Sequence, residues 1–129
     1  MIVLDASVVV ELLINGPLSE NIRDRLAATN DFFVAPHLMD VEVVSALRNL
    51  MASGRIDSNL VDECLSRLAM LPAHRFPHTP LLARVWELRH NFTAHDAIYL
   101  ALAEATGGTL FTTDGKLRKG HRSKVIFFE

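Results

Sequence analysis

Four carboxylates stand where acids serve chemistry better than packing. Asp5 sits between the apolar runs "IVL" and "VVVELL". Glu42 lies in "APHLMDVEVVSAL", Asp96 opens "HDAIYLALAEA", and Asp114 follows "TLFTT". Taken singly, each has a structural use. Asp5 and Asp114 can cap the turns that follow them, Asp96 can join Thr93 in a capping box, and Glu42 can be a solvated helix residue. Taken together, they repel, their pKa values rise, and an ionised cluster needs a cation. No Lys or Arg is placed in the sequence to neutralise all four, whereas a divalent ion would do so. All-oxygen ligands favour Mg²⁺ or Mn²⁺ over zinc. His74 and His78 fall in a proline-broken segment and His90 and His95 flank a helix start, so no competing zinc site is expected. Asp40 precedes Glu42 by two residues, which on a helix turns the pair about 200° apart. Both cannot line one pocket; Glu42 is the candidate, and Asp40 is a first-turn acid favoured by the helix dipole.

The elements that must position these acids alternate in period. "IVL" reads as a short buried strand, followed by a helix over roughly residues 6 to 14 that Asn15-Gly16-Pro17 stops. Ser19 can cap a second helix with Ile22, Leu26 and Ala27 inward. "DFFVAP" is the second strand, ended by Pro36. A long helix over roughly 37 to 53 carries Val43, Val44, Leu47, Leu50 and Met51 on one stripe and closes at Gly54. Asp57 or Ser58 begins the next, with Leu60, Val61, Cys64, Leu65 and Leu68 inward. "HRF" is a short third strand. Leu81, Leu82, Val85, Trp86 and Leu88 belong to a further helix, and Thr93 starts another that runs to Gly107-Gly108. "TLFTT" is a strand, "DGKLRKG" a helical turn and "KVIFF" the last strand.

Alternation of this kind implies a parallel sheet with helices on both faces, a three-layer α/β/α fold. The strands then read as continuous apolar runs, because both faces are covered. In such sheets the ligand site lies beyond the carboxyl ends of the strands. Asp5 and Asp114 each follow a strand, while Glu42 and Asp96 lie in the first turns of helices that begin at that same edge. The topology therefore predicts that four distant acids converge on one rim.

A length of 129 residues, half of them hydrophobic, predicts a single domain over residues 1–129 with one sizeable core. No run reaches the ~18 apolar residues of a membrane helix. The apolar N-terminus lacks a basic stretch and carries Asp5 and Glu11, a poor secretory leader. The single cysteine, Cys64, rules out an internal disulfide framework and reads as a small core residue. A soluble cytoplasmic protein without a membrane partner is expected. Net charge is −2, unevenly spread: residues 1–115 hold 8 Lys/Arg against 14 Asp/Glu, and residues 116–129 hold 5 against 1. A basic segment on an acidic body is a candidate polyanion contact.

At the acids the sequence resembles PIN-domain proteins. "IVLDASVVVELL" is similar to the opening of that family, with Asp5 and Ser7 as its D-x-S. "APHLMDVEVVSAL" resembles its P-x-x-x-x-x-E-V segment, with Glu42 as the acid. "TAHDAIYLALAEATGGTLFTTDGKL" matches its D-A-x-Y-x-A-x-A helix and a strand ending T-x-D, which supplies Asp96, Thr112 and Asp114. The resemblance spans essentially the whole chain, and its length points to the VapC toxins of VapBC toxin–antitoxin pairs. It implies a Mg²⁺- or Mn²⁺-dependent endoribonuclease in which Asp5, Glu42, Asp96 and Asp114 hold metal and Ser7 and Thr112 orient them. It further implies an RNA substrate, a VapB-type antitoxin that covers the site, and a homodimer, for which Met51, Met70, Leu71 and Phe92 are candidate interface residues. Lys116, Arg118, Lys119, Arg122 and Lys124 are the candidate contacts to flanking RNA phosphates. Rival folds fit less well. A dehalogenase-type phosphatase needs Asp where Ser7 stands, and a phospho-receiver needs an acid after a middle strand, where "HRF" offers none. The non-enzymatic alternative is a PIN-fold scaffold that only binds RNA or protein.

Overall fold

The computed structural model describes every residue from Met1 to Glu129. Five strands, β1 (Ile2–Leu4), β2 (Phe33–Pro36), β3 (Ala73–Phe76), β4 (Thr109–Thr112) and β5 (Lys124–Phe127), form one sheet in the order β3-β2-β1-β4-β5. Every pairing is parallel, with Ile2 opposite Phe33 and Thr109, and Thr112 opposite Phe127. Six helices flank it: α1 (Ala6–Leu13), α2 (Ser19–Ala27), α3 (Leu38–Ala52), α4 (Ser58–Ala69), α5 (Leu82–Glu87) and α6 (Ala94–Thr106). α1 packs on α2, α3 and α4, while α6 lies over β1, β2 and β4 and packs on α5. The result is the three-layer α/β/α architecture expected from the alternation.

α1 shows how the tertiary context decides. Its sequence "ASVVVELL" is rich in β-branched residues, each of which costs at most about 0.7 kcal/mol in a helix. Val8 and Val9 are fully buried, and burying each stabilises by roughly 1.5–3 kcal/mol, so packing wins. The α6–β4 connection is set by backbone space. Gly107 has φ +66, the left-handed cap that an L side chain resists, and a Cβ on Gly108 would meet the Met1 carbonyl at 2.7 Å.

Several inward assignments are corrected. α3 buries Met39, Val43 and Leu47, whereas Val44, one step round the helix, and Met51, in its last turn, are exposed. Leu65 on α4, Leu82 and Trp86 on α5, and Ala27 on α2 are exposed as well. The helices are narrower-faced than an apolar count suggests, because each buries a single stripe. β2 begins at Phe33, two residues later than "DFFVAP" suggests, and Phe32 is exposed. α5 is short and is preceded by a 3-10 turn, Thr79–Leu81, that accommodates Pro80. β3 and β5 are the sheet's edges, which is why their residues are only partly buried. Cys64 is buried, and its thiol donates to the Leu13 carbonyl at 3.4 Å.

Candidate active site at the carboxyl edge of the sheet

Asp5 leaves β1 as part of the sheet: its N–H donates to the Phe111 carbonyl at 3.1 Å, and its own carbonyl receives the Val8 and Val9 N–H groups that open α1. Its carboxylate makes no cap to that helix. Instead Oδ2 accepts the Ser7 hydroxyl at 2.7 Å and the Thr112 hydroxyl at 2.6 Å. Both hydroxyls are themselves committed, because Ser7 Oγ accepts the Thr113 N–H at 3.0 Å and Thr112 Oγ1 accepts the Asp114 N–H at 2.9 Å. A hydroxyl has one proton, so these amides direct both protons onto Asp5. Asp5 is only 7% exposed. Burial pushes its pKa up, the two hydroxyls pull it back, and the charge of Asp114 raises it again.

Glu42 lies in the second turn of α3, and its Oε1 accepts the Tyr99 hydroxyl at 2.5 Å. Its pKa is raised, first by burial and further by Asp5 and Asp96; the Tyr99 hydrogen bond and His95 oppose the rise. Tyr99 is buried beside two acids, and its pKa is pushed far up, so the phenol keeps its proton and can only donate to a carboxylate. Tyr99, the tyrosine of "DAIY", is a site residue that the pattern of acids does not reveal. Its signal is the three-residue spacing from Asp96, which sets both on one face of α6.

Asp96 stands in the first turn of α6, where Thr93 Oγ1 accepts its N–H at 3.2 Å. Asp114 follows β4, and its Oδ1 accepts the Lys116 N–H at 2.9 Å, capping the short turn Gly115–Leu117. The Lys116 ammonium lies 3.7 Å from Asp114 Oδ2 and 3.8 Å from Asp96 Oδ2. No basic side chain was expected to neutralise all four acids; Lys116 reaches two of them, Asp96 and Asp114.

The rim brings Asp5, Glu42, Asp96, Asp114, Ser7 and Thr112 together. Asp5 feels the charge of Asp114, and Glu42 feels those of Asp5 and Asp96. No three of these acids are close enough to make a chelating group as they stand. The donors are nonetheless all hard oxygens, mutually repelling, with one mostly exposed lysine as counter-ion. In kind they fit Mg²⁺ or Mn²⁺. Asp40 is excluded from the rim by more than its angle: Arg75 binds both its oxygens, at 2.9 and 3.1 Å. His78 is also committed, because Nε2 accepts the Leu38 N–H that starts α3, at 2.9 Å.

The basic segment does not form one patch. Lys116 is at the acids, and the Arg118 guanidinium lies 4.8 Å over the Phe127 ring, near the same edge. Lys119 is exposed. Lys124 pairs with Thr109 at the opposite, amino edge of the sheet, and there Arg122 and Lys124 line a polar recess with Glu104, Gly107 and Gly108.

Comparison with known proteins gives a consistent picture. The family model for the PIN domain matches residues 2–121. Ribonuclease VapC1 of Mycobacterium tuberculosis is 38% identical over 125 residues, covering 89% of this chain and 86% of the relative. Ribonuclease VapC12 of the same organism is 36% identical over 121 residues, covering 94% and 92%. Among solved structures, a toxin–antitoxin complex from Klebsiella pneumoniae contains a chain that superposes with a TM-score of 0.69 at 19% identity, covering 98% of this chain and 96% of that one. At that identity the likeness concerns the fold.

Proposed function

The chain belongs to the PIN-domain family, and from that premise we propose that it is the toxin of a VapBC-type toxin–antitoxin pair, an endoribonuclease that hydrolyses RNA phosphodiester bonds with Mg²⁺ or Mn²⁺. The observation that carries the proposal is the buried Asp5 carboxylate, clamped by Ser7 and Thr112 and within reach of the charges of Asp114 and Glu42, the latter in turn facing Asp96. Burying a carboxyl among other carboxyls costs stability, and binding a hard cation is the function that the arrangement serves. No helix of the chain is long and apolar enough to cross a membrane.

Asp5, Asp96, Glu42 and Asp114 would hold the metal. A bound divalent cation activates water near neutral pH and polarises the scissile phosphate. The protein's part is positioning. Ser7 and Thr112 tie Oδ2 of Asp5 with two hydroxyl bonds, and Oδ1 takes part in neither. Tyr99 holds Glu42 and opposes the burial that would protonate it. Lys116, paired with the acids, and Arg118, over Phe127 at the same edge of the sheet, are the proposed contacts to an RNA phosphate.

The test is cleavage of RNA by purified protein with added Mn²⁺, with chelator, and with Asp5→Asn, followed by sequencing of the RNA ends. Metal-dependent ends that disappear with Asp5→Asn support the reading. Undiminished cleavage in excess EDTA rejects it. Binding of metal without any cleavage would favour the scaffold alternative.

A VapB-type antitoxin is the proposed protein partner, by analogy with the toxin–antitoxin complex that shares this fold. A homodimer is also proposed: Met51 and Met70 are exposed, and Leu71 and Phe92 are half-buried beside the core. Light scattering that reports only monomer at high concentration would reject it.

A further inference from the structure

We infer that Lys116 is a displaceable counter-ion of the active site, held by Asp96 and Asp114 until a divalent cation expels it, and then available to an RNA phosphate. The inference rests on the metal-dependent reading above and concerns how the chain manages that site.

Two contacts define the resting position. Nζ lies 3.7 Å from Asp114 Oδ2 and 3.8 Å from Asp96 Oδ2. These separations exceed hydrogen-bond length, so the attraction is Coulombic and weakly directional. Asp96 and Asp114 come from α6 and from the end of β4. One ammonium thus bridges two elements whose acids would otherwise repel.

The backbone of Lys116 is fixed while its side chain is not. Its N–H is bound by Asp114 Oδ1 at 2.9 Å, Leu117 is buried, and the Leu117 N–H bonds the Asp114 carbonyl at 3.1 Å. The lysine side chain is 73% exposed. A tether with a rigid base and a free tip can release the acids without leaving the rim. A divalent cation brings twice the charge and is a better ligand for carboxylate oxygens than an ammonium. The expelled ammonium remains beside the position a scissile phosphate must occupy, where a point charge on a flexible stem serves as a phosphate contact. Lys119, three residues on, forms no ion pair and is the matched control for charge alone.

The experiment measures Mn²⁺ affinity by the electron paramagnetic resonance signal of free Mn²⁺, for wild type, Lys116→Met, Lys116→Arg and Lys119→Met. Removing the competitor should tighten Mn²⁺ binding about three- to tenfold in Lys116→Met, the range expected for an exposed ammonium facing two acids. Lys116→Arg should stay near wild type, and Lys119→Met should change by less than about twofold, because its charge is screened and not in contact. Without metal, Lys116→Met should melt about 1–3 °C lower, and with saturating Mn²⁺ it should melt no lower than wild type. In RNA cleavage the same variant should raise KM more than it lowers kcat. Equal Mn²⁺ affinity in Lys116→Met and wild type overturns the counter-ion role and leaves the nuclease reading intact. Equal tightening in Lys116→Met and Lys119→Met also overturns it, because general charge would then explain the effect. Failure of all four proteins to bind Mn²⁺ overturns this inference together with the metal-dependent reading.

Discussion

The Thr112 hydroxyl donates to Asp5 Oδ2 at 2.6 Å, joining the ends of β4 and β1 across 107 residues of sequence. The parallel register sets the two residues side by side, because Leu4 pairs with Phe111 and each strand then continues by one residue. The bond also fixes the loop beyond β4, since Thr112 Oγ1 receives the Asp114 N–H. One hydroxyl therefore holds one acid and orients the backbone that presents another.

Thr112→Val should show this coupling. It deletes a donor to Asp5 and orphans the Asp114 N–H. Metal affinity or activity should fall about 10- to 100-fold, the usual cost of losing a group that orients a metal ligand. Thr112→Ser keeps the hydroxyl and should restore most of it. Equal loss in both variants, measured by Mn²⁺ titration, would point to packing of the methyl group instead.

Asp5→Asn should abolish cleavage and yet raise the melting temperature of the metal-free protein at neutral pH. The folded carboxyl has its pKa raised above 3.8, chiefly by burial. Folding then favours its protonated form, so its contribution to stability falls as pH rises from 3.8 through the folded value. The amide removes that dependence. Thermal melts in chelator between pH 4 and 8 should converge toward acid and separate toward neutral pH; a variant less stable at neutral pH would contradict the expectation.

Tyr99→Phe should move a pH profile. The phenol lowers the pKa of Glu42 against burial and the neighbouring acids. Without it that carboxyl protonates more readily. The acid limb of the cleavage profile should shift to higher pH, with a stability loss of about 1.5–3 kcal/mol for a bond to a charged acceptor. An unmoved limb would mean that Glu42 does not need to be ionised.

Glu104 offers a pH effect away from the acids. Arg84 binds it at 2.6 and 3.1 Å and lowers its pKa. A lowered carboxyl stabilises above its unfolded pKa and loses that contribution as pH falls through the folded value. Glu104→Gln should therefore be less stable than wild type at pH 7, by about 0.2–1 kcal/mol for a partly exposed pair. The difference should shrink as pH drops below the ordinary glutamate range, as measured by urea melts.

Asp5, Glu42, Asp96 and Asp114 were legible in the sequence because their placement depends on local pattern plus one topological rule. Short apolar strands followed by acids, and helix starts carrying acids, must meet at the carboxyl edge of a parallel sheet. The sheet class itself followed from the alternation of periods, which reflects burial on both faces. What the sequence left open was pairing between side chains far apart in it. The Arg75 grip on Asp40, the Tyr99 proton on Glu42 and the Lys116 ammonium between Asp96 and Asp114 all depend on distances that only packing decides. Outward Val44 and Met51 belong to the same class, because an apolar helix residue is buried only if a neighbour arrives to cover it. The basic segment is the clearest case. Residues 116 to 124 are continuous in sequence, but a parallel strand must start at the amino edge. The chain therefore crosses the sheet between Lys116 and Lys124 and parts them to opposite ends. Composition determined that this protein has a positive segment; the return path of β5 decided that only its first residues can serve the acids.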